Sequence, residues 1–449
     1  MIAFVVREAQ RVTAPSQTGT RGERPPAIVV GLDCITGLQT ARILAGHGVP
    51  VIGLAKDPSH FACRTRATQR VIQADVNGPG LIPALEKLAE QLDQQAVLIP
   101  CTDMSVALVS QHRERLTDAY HLALPRPEVV ETLLDKVRFA RFAQAAGLPV
   151  PKTFVLHSRR EAEEAARQLR FPCLLKPAVK TPTWERQARA KVFRVESPGE
   201  LLALYERSSQ WVDELVAQEW VEGPDTNLFT CNAYFDRQSQ PLVTFVSQKL
   251  RQWPLGTGTG SLAVEARNDQ VRAICVALFR RVGFHGLGYV EVKRDARSGE
   301  YVILEANIGR PTGRSAMAEA GGVALLYTLY ADLVGLPLPA NREQRYLGAK
   351  WIYLRQDLRS AFVHWRRGEL SLADWWRSWQ GPKHFAVLSW QDPAPFLHGV
   401  WRDVRILAAR LRDRWSSRGS STAQIRQAAN LWPDSRRKDR SGLSSPKPE

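Results

Sequence analysis

Glu291, Glu305 and Asn307 stand in two short strand-like runs, Tyr289-Val-Glu-Val-Lys293 and Tyr301-Val-Ile-Leu-Glu-Ala-Asn307, separated by the turn-rich Asp295-Ala-Arg-Ser-Gly299. A hairpin pivoting near Arg297 and Ser298 sets Glu291 opposite or diagonal to Glu305, and the period of two puts Asn307 on the same face. Two carboxylates facing each other across a ladder repel and weaken the pairing. A hard divalent cation between them removes the conflict, and magnesium suits one or two carboxylates completed by substrate phosphates. The competing reading is an edge hairpin whose acids only face water.

Cations stand at other places where an anion could be held. Lys176 ends the apolar run Pro172-Cys-Leu-Leu-Lys-Pro177, and an ammonium at a strand end can reach phosphate oxygens. Lys249 and Arg251 alternate along Phe245-Val-Ser-Gln-Lys-Leu-Arg-Gln-Trp253, so both are expected on one strand face, with a flexible turn over 256–260. Such a pair suits a carboxylate and its phosphorylated form; a plain basic surface is the alternative. Gly31-Leu-Asp-Cys-Ile-Thr-Gly37, with Asp57 beyond, is similar to a nicotinamide-binding turn. The first two glycines of that pattern are not both present, so Gly31 and Gly37 read as requirements of a tight turn.

Glu305-Ala-Asn-Ile-Gly-Arg-Pro311, taken with Glu291, resembles the metal-binding end of the ATP-grasp ligases, and the resemblance runs in order from about residue 27 to 340. It includes an opening strand-helix unit, a helix with Lys136, the Lys176 strand, the hinge-like Gln218-Glu-Trp-Val-Glu-Gly223 and the hairpin. Within the superfamily, Gln248-Lys-Leu-Arg-Gln-Trp-Pro254 and Gln391-Asp-Pro-Ala-Pro395 look most like carboxylate-amine ligases similar to D-aspartate ligase.

The resemblance implies ATP and magnesium as cofactors, two ions with manganese as a substitute, and small carboxylate and amine substrates joined through an acylphosphate. It assigns Lys176 and Lys136 to phosphates and Gln218, or Glu219 in another register, to the adenine amino group. The Val221 backbone would meet adenine and Asp225 the ribose. Glu291, Glu305 and Asn307 would hold metal. Arg310 would steady the transferring phosphoryl group, although its spacing is one residue longer than the commoner Asn-x-Arg, leaving Arg314 as the alternative. Lys249 and Arg251 would face the substrate. One departure is sharp: residues 171–198 contain no glycine where many relatives carry a glycine-rich phosphate loop, and Lys180, Arg186, Arg189 and Lys191 surround Trp184 instead. A non-catalytic ligand-binding or membrane-peripheral scaffold and a nicotinamide enzyme are the competing function classes.

The chain of 449 residues, 44% hydrophobic, has material for two or three packed domains. Its formal charge of +16 fits nucleic acid, an anionic membrane or anionic small substrates equally. No recognisable nucleic-acid module is present, so no nucleic-acid partner is expected. Six single cysteines without a Cys-x-x-Cys read as buried hydrophobes in a reducing compartment. The start lacks the apolar length of a signal peptide, and no uncharged apolar run approaches the roughly 20 residues of a membrane span. The expected location is cytoplasmic, with peripheral contact to anionic membrane through the C-terminal region as a further reading.

The expected fold class is α/β and α+β: an ATP-grasp fold with an N-terminal Rossmann-like βαβ domain and a Trp/Arg-rich helical C-terminal extension. A flexible arm over 1–26 precedes an α/β domain over 27–128, with strands over 27–32, 49–54 and 96–100 and helices over 36–47 and 81–92. A single helix over 129–147 opens the nucleotide and metal domain, 129–340. The extension spans 341–415 and a basic disordered tail spans 416–449, and nine of the thirteen tryptophans lie between 351 and 432. Apolar Val400, Val404, Leu407, Leu411 and Trp415 recur at helical spacing among arginines.

Overall fold

The computed structural model describes residues 24–409 apart from 180, 189, 191, 257 and 407. The arm before residue 24, the basic tail, and Lys180, Arg189, Lys191, Leu407, Leu411 and Trp415 therefore lie outside the described residues.

Strands β1 (Ala27–Val30), β2 (Val51–Ala55), β3 (Arg70–Gln73), β4 (Ala96–Pro100) and β5 (Tyr120–His121) form a parallel sheet in the order β3-β2-β1-β4-β5. Helices α1 (Ile35–Gly46), α2 (Leu81–Ala89) and α3 (Asp103–Gln111) supply crossovers. β1, β2 and β4 are buried along their whole length, as a parallel sheet covered on both faces requires. Gly31 takes φ +94°, and a Cβ on Gly37 would lie 2.2 Å from the Gly31 carbonyl oxygen, so both positions need glycine for the tight β1–α1 turn.

The single helix expected over 129–147 is two helices, α4 (Pro127–Leu134) and α5 (Lys136–Ala145). Asp135 between them is extended, and its carboxylate accepts from the backbone N–H of Val137 and Arg138 at 2.8 Å. An aspartate makes a good helix cap, and local capping here outcompetes continuation of the apolar pattern. Lys136 is thereby placed in the first turn of α5.

Next come β6 (Thr153–Leu156), α6 (Arg159–Gln168), β7 (Cys173–Pro177), α7 (Pro182–Ala188), β8 (Phe193–Val195), α8 (Pro198–Ser208) and β9 (Leu215–Glu219). The four strands make an antiparallel sheet, β6-β9-β7-β8, over a hydrophobic core of its own. Trp184 of α7 is fully buried there and donates to the Ala190 carbonyl at 3.0 Å. A tryptophan-anchored helix thus occupies the stretch without glycine.

The largest sheet joins β10 (Leu228–Phe235), β11 (Pro241–Trp253), β12 (Thr259–Glu265), β13 (Gly286–Arg294) and β14 (Tyr301–Ile308), with α9 (Asp269–Arg281), α10 (Ala316–Ala320) and α11 (Leu325–Leu333) around it. The expectation of a helical extension misses two strands. β15 (Lys350–Ile352) and, after α12 (Leu354–Arg366) and α13 (Leu372–Ser378), β16 (Lys383–Phe385) complete the order β14-β13-β10-β11-β12-β15-β16. Both strands are only three residues long, too short for a period to show. Apolar side chains of the first and largest sheets merge in shared cores, whereas the four-stranded lobe packs separately. This unit ends at Pro395 and a second unit begins at Phe396; residues 394–406 are helical. No described helix is long and apolar enough to cross a membrane, and all six cysteines are free.

The expectation that Lys249 and Arg251 share a face is wrong. Lys249 opposes Ala263 and Arg251 opposes Leu262, so a bulge at Leu250 turns the two cations to opposite faces. Arg251 makes a paired contact with Asp357 of α12, Nε to Oδ1 at 2.8 Å and Nη2 to Oδ2 at 2.9 Å. Asp357 is wholly buried and also accepts from the indole N–H of Trp375 and Trp379. Removing one partner of a buried pair strands the other charge. Asp357→Ala should therefore cost about 3–5 kcal/mol in denaturant unfolding, whereas Arg251→Met with Asp357→Leu should recover most of that loss. A single variant as stable as wild type would show that this clamp does not hold the helices to β11.

Candidate active site

β13 and β14 pair with Arg294 opposite Tyr301 and Val292 opposite Ile303. Carried on unbroken, this register would set Glu291 against Leu304. A bulge leaves Leu304 as the extra residue and sets Glu291 directly against Glu305, with Tyr289 against Asn307. Thr230 of β10 stands on the other side of Glu291. The two carboxylates are held side by side by backbone pairing, as the hairpin reading expects.

Two arginines brace this pair. Arg314 donates from Nη2 to Glu291 Oε1 and to Thr230 Oγ1, each at 3.1 Å. Arg310 donates to the Tyr289 hydroxyl and to Asn307 Oδ1 at 2.7 Å, stacks over the Tyr289 ring and pairs with Asp103 at the start of α3. Gly309 makes this possible. It has φ +68°, and a Cβ there would come within 2.5 Å of Leu124 and 2.7 Å of Val106. The extra residue in the Asn-to-arginine spacing is therefore a turn packed on α3 and on the segment that follows β5, after which Arg310 points back to the hairpin.

Glu305 opens to the cleft yet is ringed by protein, and its carboxyl is raised above the ordinary range by that burial and by the Glu291 charge. The Asn307 amide, donating at 3.1 Å, works in the opposite direction. Among the described residues no group of three or more His, Cys, Asp or Glu could hold a metal unaided. Two carboxylates and an amide oxygen fit magnesium in its usual manner, with phosphates and water completing the shell. The crowding of negative charge at Glu305 supports that fit.

Across the cleft, Lys136 and Lys176 line the same cavity as Glu305, Asn307, Asp103, Gln218 and Thr153, with Phe139, Ala140, Val150 and Ile303 as an apolar wall. Its volume is about 110 Å³. Lys176 Nζ donates to Gln218 Oε1 at 3.0 Å, and Gln218 Nε2 donates to Thr153. Burial and the neighbouring Lys136 charge push the Lys176 ammonium down to about 8, against the pull of Glu305. A phosphate would relieve that repulsion.

The remaining expected residues divide. Glu219 points away from the cavity and pairs with Arg170 at 3.1 Å, so the register that places Gln218 inward is the one the strand adopts. The Val221 carbonyl accepts from Lys293 at 2.8 Å. Asp225 accepts from Gln252 at 2.7 Å, and Gln252 in turn accepts from Lys249 at 3.0 Å. Val221 and Asp225 are not walls of the cavity. The Lys249 ammonium is lowered by burial and supported by Glu291, so it lies on the carboxylate side while Arg251 does not. Sequence reasoning missed Tyr289, Asp103, Thr230 and Gln252. Tyr289 was within reach, two residues before Glu291 on the same strand face; Asp103 comes from another sheet and carries no local signal.

No family model matches the chain. In sequence it is similar to D-aspartate ligase from Enterococcus faecium (strain Aus0004), 26% identical over 250 residues, 53% of this chain and 59% of that protein. The chain spans under two thirds of the length of the curated relatives it first matches. In structure it is similar to N5-carboxyaminoimidazole synthetase from Staphylococcus aureus, with TM-score 0.55 and 15% identity over 72% of this chain and 80% of that one. The biotin carboxylase domain of 2-oxoglutarate carboxylase from Hydrogenobacter thermophilus, a complex with MgADP, ADP and bicarbonate, gives TM-score 0.55 and 14% identity over 72% of each chain. The chain has the ATP-grasp fold. The chain departs from the pattern that the resemblance implies where α7 stands in place of a glycine-rich loop and where Gly309 lengthens the Asn307–Arg310 turn.

Lys176 supplies a test of the phosphate side. Phosphate favours its charged form, so above about pH 8 the binding of ATP should take up a proton and weaken as pH rises. Calorimetry in two buffers of different ionisation enthalpy measures this uptake. Lys176→Ala should abolish it and weaken magnesium-ATP binding at least several-fold while the protein stays folded. Wild type without proton uptake would place the phosphates elsewhere.

Proposed function

We propose that this protein is an ATP- and magnesium-dependent ligase that joins a carboxylate to an amine. The observation that carries the reading is the in-register Glu291–Glu305 pair, with Glu305 and Asn307 in the same cavity as Lys136 and Lys176. A carboxylate pair alone could be structural and a lysine pair alone could be a surface. Facing each other across one cleft, they match the two ends of a metal-bound polyphosphate. The sequence similarity to D-aspartate ligase and the MgADP in one structural neighbour point the same way.

In this reading the substrate carboxylate oxygen attacks the γ-phosphorus of ATP, the bond to the β-phosphate oxygen breaks, and ADP leaves. The amine nitrogen then attacks the acyl carbon of the acylphosphate, phosphate departs, and the nitrogen loses its proton to solvent. Direct amide formation is slow because hydroxide is a poor leaving group; phosphate removes that obstacle. Lys136 and Lys176 place charge on the phosphates, and Gln218 offers its amide to the adenine edge. Arg310 steadies the phosphoryl group in transfer, and Arg314 and Lys249 face the substrate carboxylate. Magnesium held by Glu291, Glu305 and Asn307 would neutralise phosphate charge. Manganese would serve in the same place, and two ions fit two carboxylates.

The cavity of about 110 Å³ lies below the ~300–1,000 Å³ of usual ligand pockets. The substrates are small molecules. No nucleic-acid partner follows from the site, and the peripheral membrane reading rests on a different part of the chain.

A screen for magnesium-dependent ADP release over pairs of amino acids and small carboxylic acids tests the proposal. With an active pair in hand, Glu305→Gln should fold normally and lose at least roughly a hundredfold in turnover, since metal charge stabilisation is worth several kcal/mol. Turnover near wild type in this variant would remove the metal role.

A further inference from the structure

Helix α12 presents two different faces. Asp357, Ser360 and Ala361 are buried toward the large sheet. On the outer side, Leu358, Phe362 and Trp365 are 47%, 54% and 49% exposed and fall within about 60° of one another at the helical repeat. Arg355, Arg359 and Arg366 adjoin this stripe on one flank, and the Arg366 guanidinium lies 6.0 Å from the Phe362 ring centre. α13 buries none of its residues, and Leu372 and Trp376 are 66% and 46% exposed. Apolar side chains this large, open to water on two consecutive helices, need an occupant.

We propose that the outer face of α12 and α13 docks on an anionic lipid bilayer. Charge selects this occupant. Residues 354–379 carry five arginines against two exposed acids, Glu369 and Asp374, and each of those acids is already paired, with His364 at 2.6 Å and Arg377 at 2.8 Å. The net positive flank would repel a second copy of itself and attracts anionic headgroups. Chemistry selects it as well: Leu358 and Leu372 cannot stack on bases, whereas leucine, phenylalanine and tryptophan beside arginine suit the headgroup boundary. The buried side of α12 is the one clamped to Arg251, so docking leaves the fold intact. Contact of this kind is independent of which substrates the cleft takes.

Flotation of the full chain with vesicles of phosphatidylcholine alone or with about a third phosphatidylglycerol tests this. Binding should be at least about tenfold stronger with the anionic lipid and largely lost near 1 M salt. Phe362→Ser with Trp365→Ser, and separately Arg359→Glu with Arg366→Glu, should each cut vesicle binding at least about fivefold while leaving magnesium-ATP affinity and the melting temperature unchanged. Equal binding to both vesicles, or full binding by both variants, would overturn the proposal. So would self-association of the lipid-free protein that the first variant abolishes, because the face would then belong to a second copy.

Discussion

The repulsion between Glu291 and Glu305 is the constraint on which the rest of the site depends. Backbone pairing holds the two carboxylates side by side, and burial first, with the Glu291 charge second, raises the affinity of Glu305 for a proton. A protein tolerates such a conflict when a ligand resolves it or when neighbours offset it. Here both occur in part. Arg314 offsets Glu291 from one side, and Arg310 reaches Glu305 only through Asn307, leaving one carboxylate facing the cleft without a cation of its own among these contacts.

That arrangement is assembled from distant parts of the chain. The Leu304 bulge sets the register, Gly309 turns Arg310 back, and Asp103 and Tyr289 fix the guanidinium. A second bulge, at Leu250, sorts the two cations of β11: Lys249 goes to the carboxylates and Arg251 to the clamp with Asp357. The C-terminal helices are therefore tied to the back of a strand whose front serves the cleft. Asp135 performs a similar sorting on the opposite wall by starting α5 at Lys136.

The sequence made the hairpin legible because its signals are local: alternating apolar residues, a turn-rich break, and two glutamates at matching distances from the pivot. The order of strand, lysine, hinge and hairpin gave the fold class. The two bulges were not legible, since one extra residue leaves composition and period nearly unchanged while it reverses a side chain's face. Alternation therefore puts Arg251 on the wrong face, and it leaves Glu219 open beside Gln218 because it does not say which of two neighbours points inward. Asp135 shows the converse, a polar cap overriding an apolar pattern that reads as one helix. Contacts between sheets, such as Arg310 with Asp103, have no signature within a window of sequence.

Thermal unfolding with ATP present, with magnesium or with a chelator, compared between wild type and Glu305→Gln, addresses the central claim most directly. If the carboxylate pair is held in tension for a metal, the variant should be at least as stable as wild type in chelator, and magnesium should raise the wild-type midpoint far more than the variant's. A wild type more stable than the variant without metal, together with equal magnesium shifts in both proteins, would contradict the account.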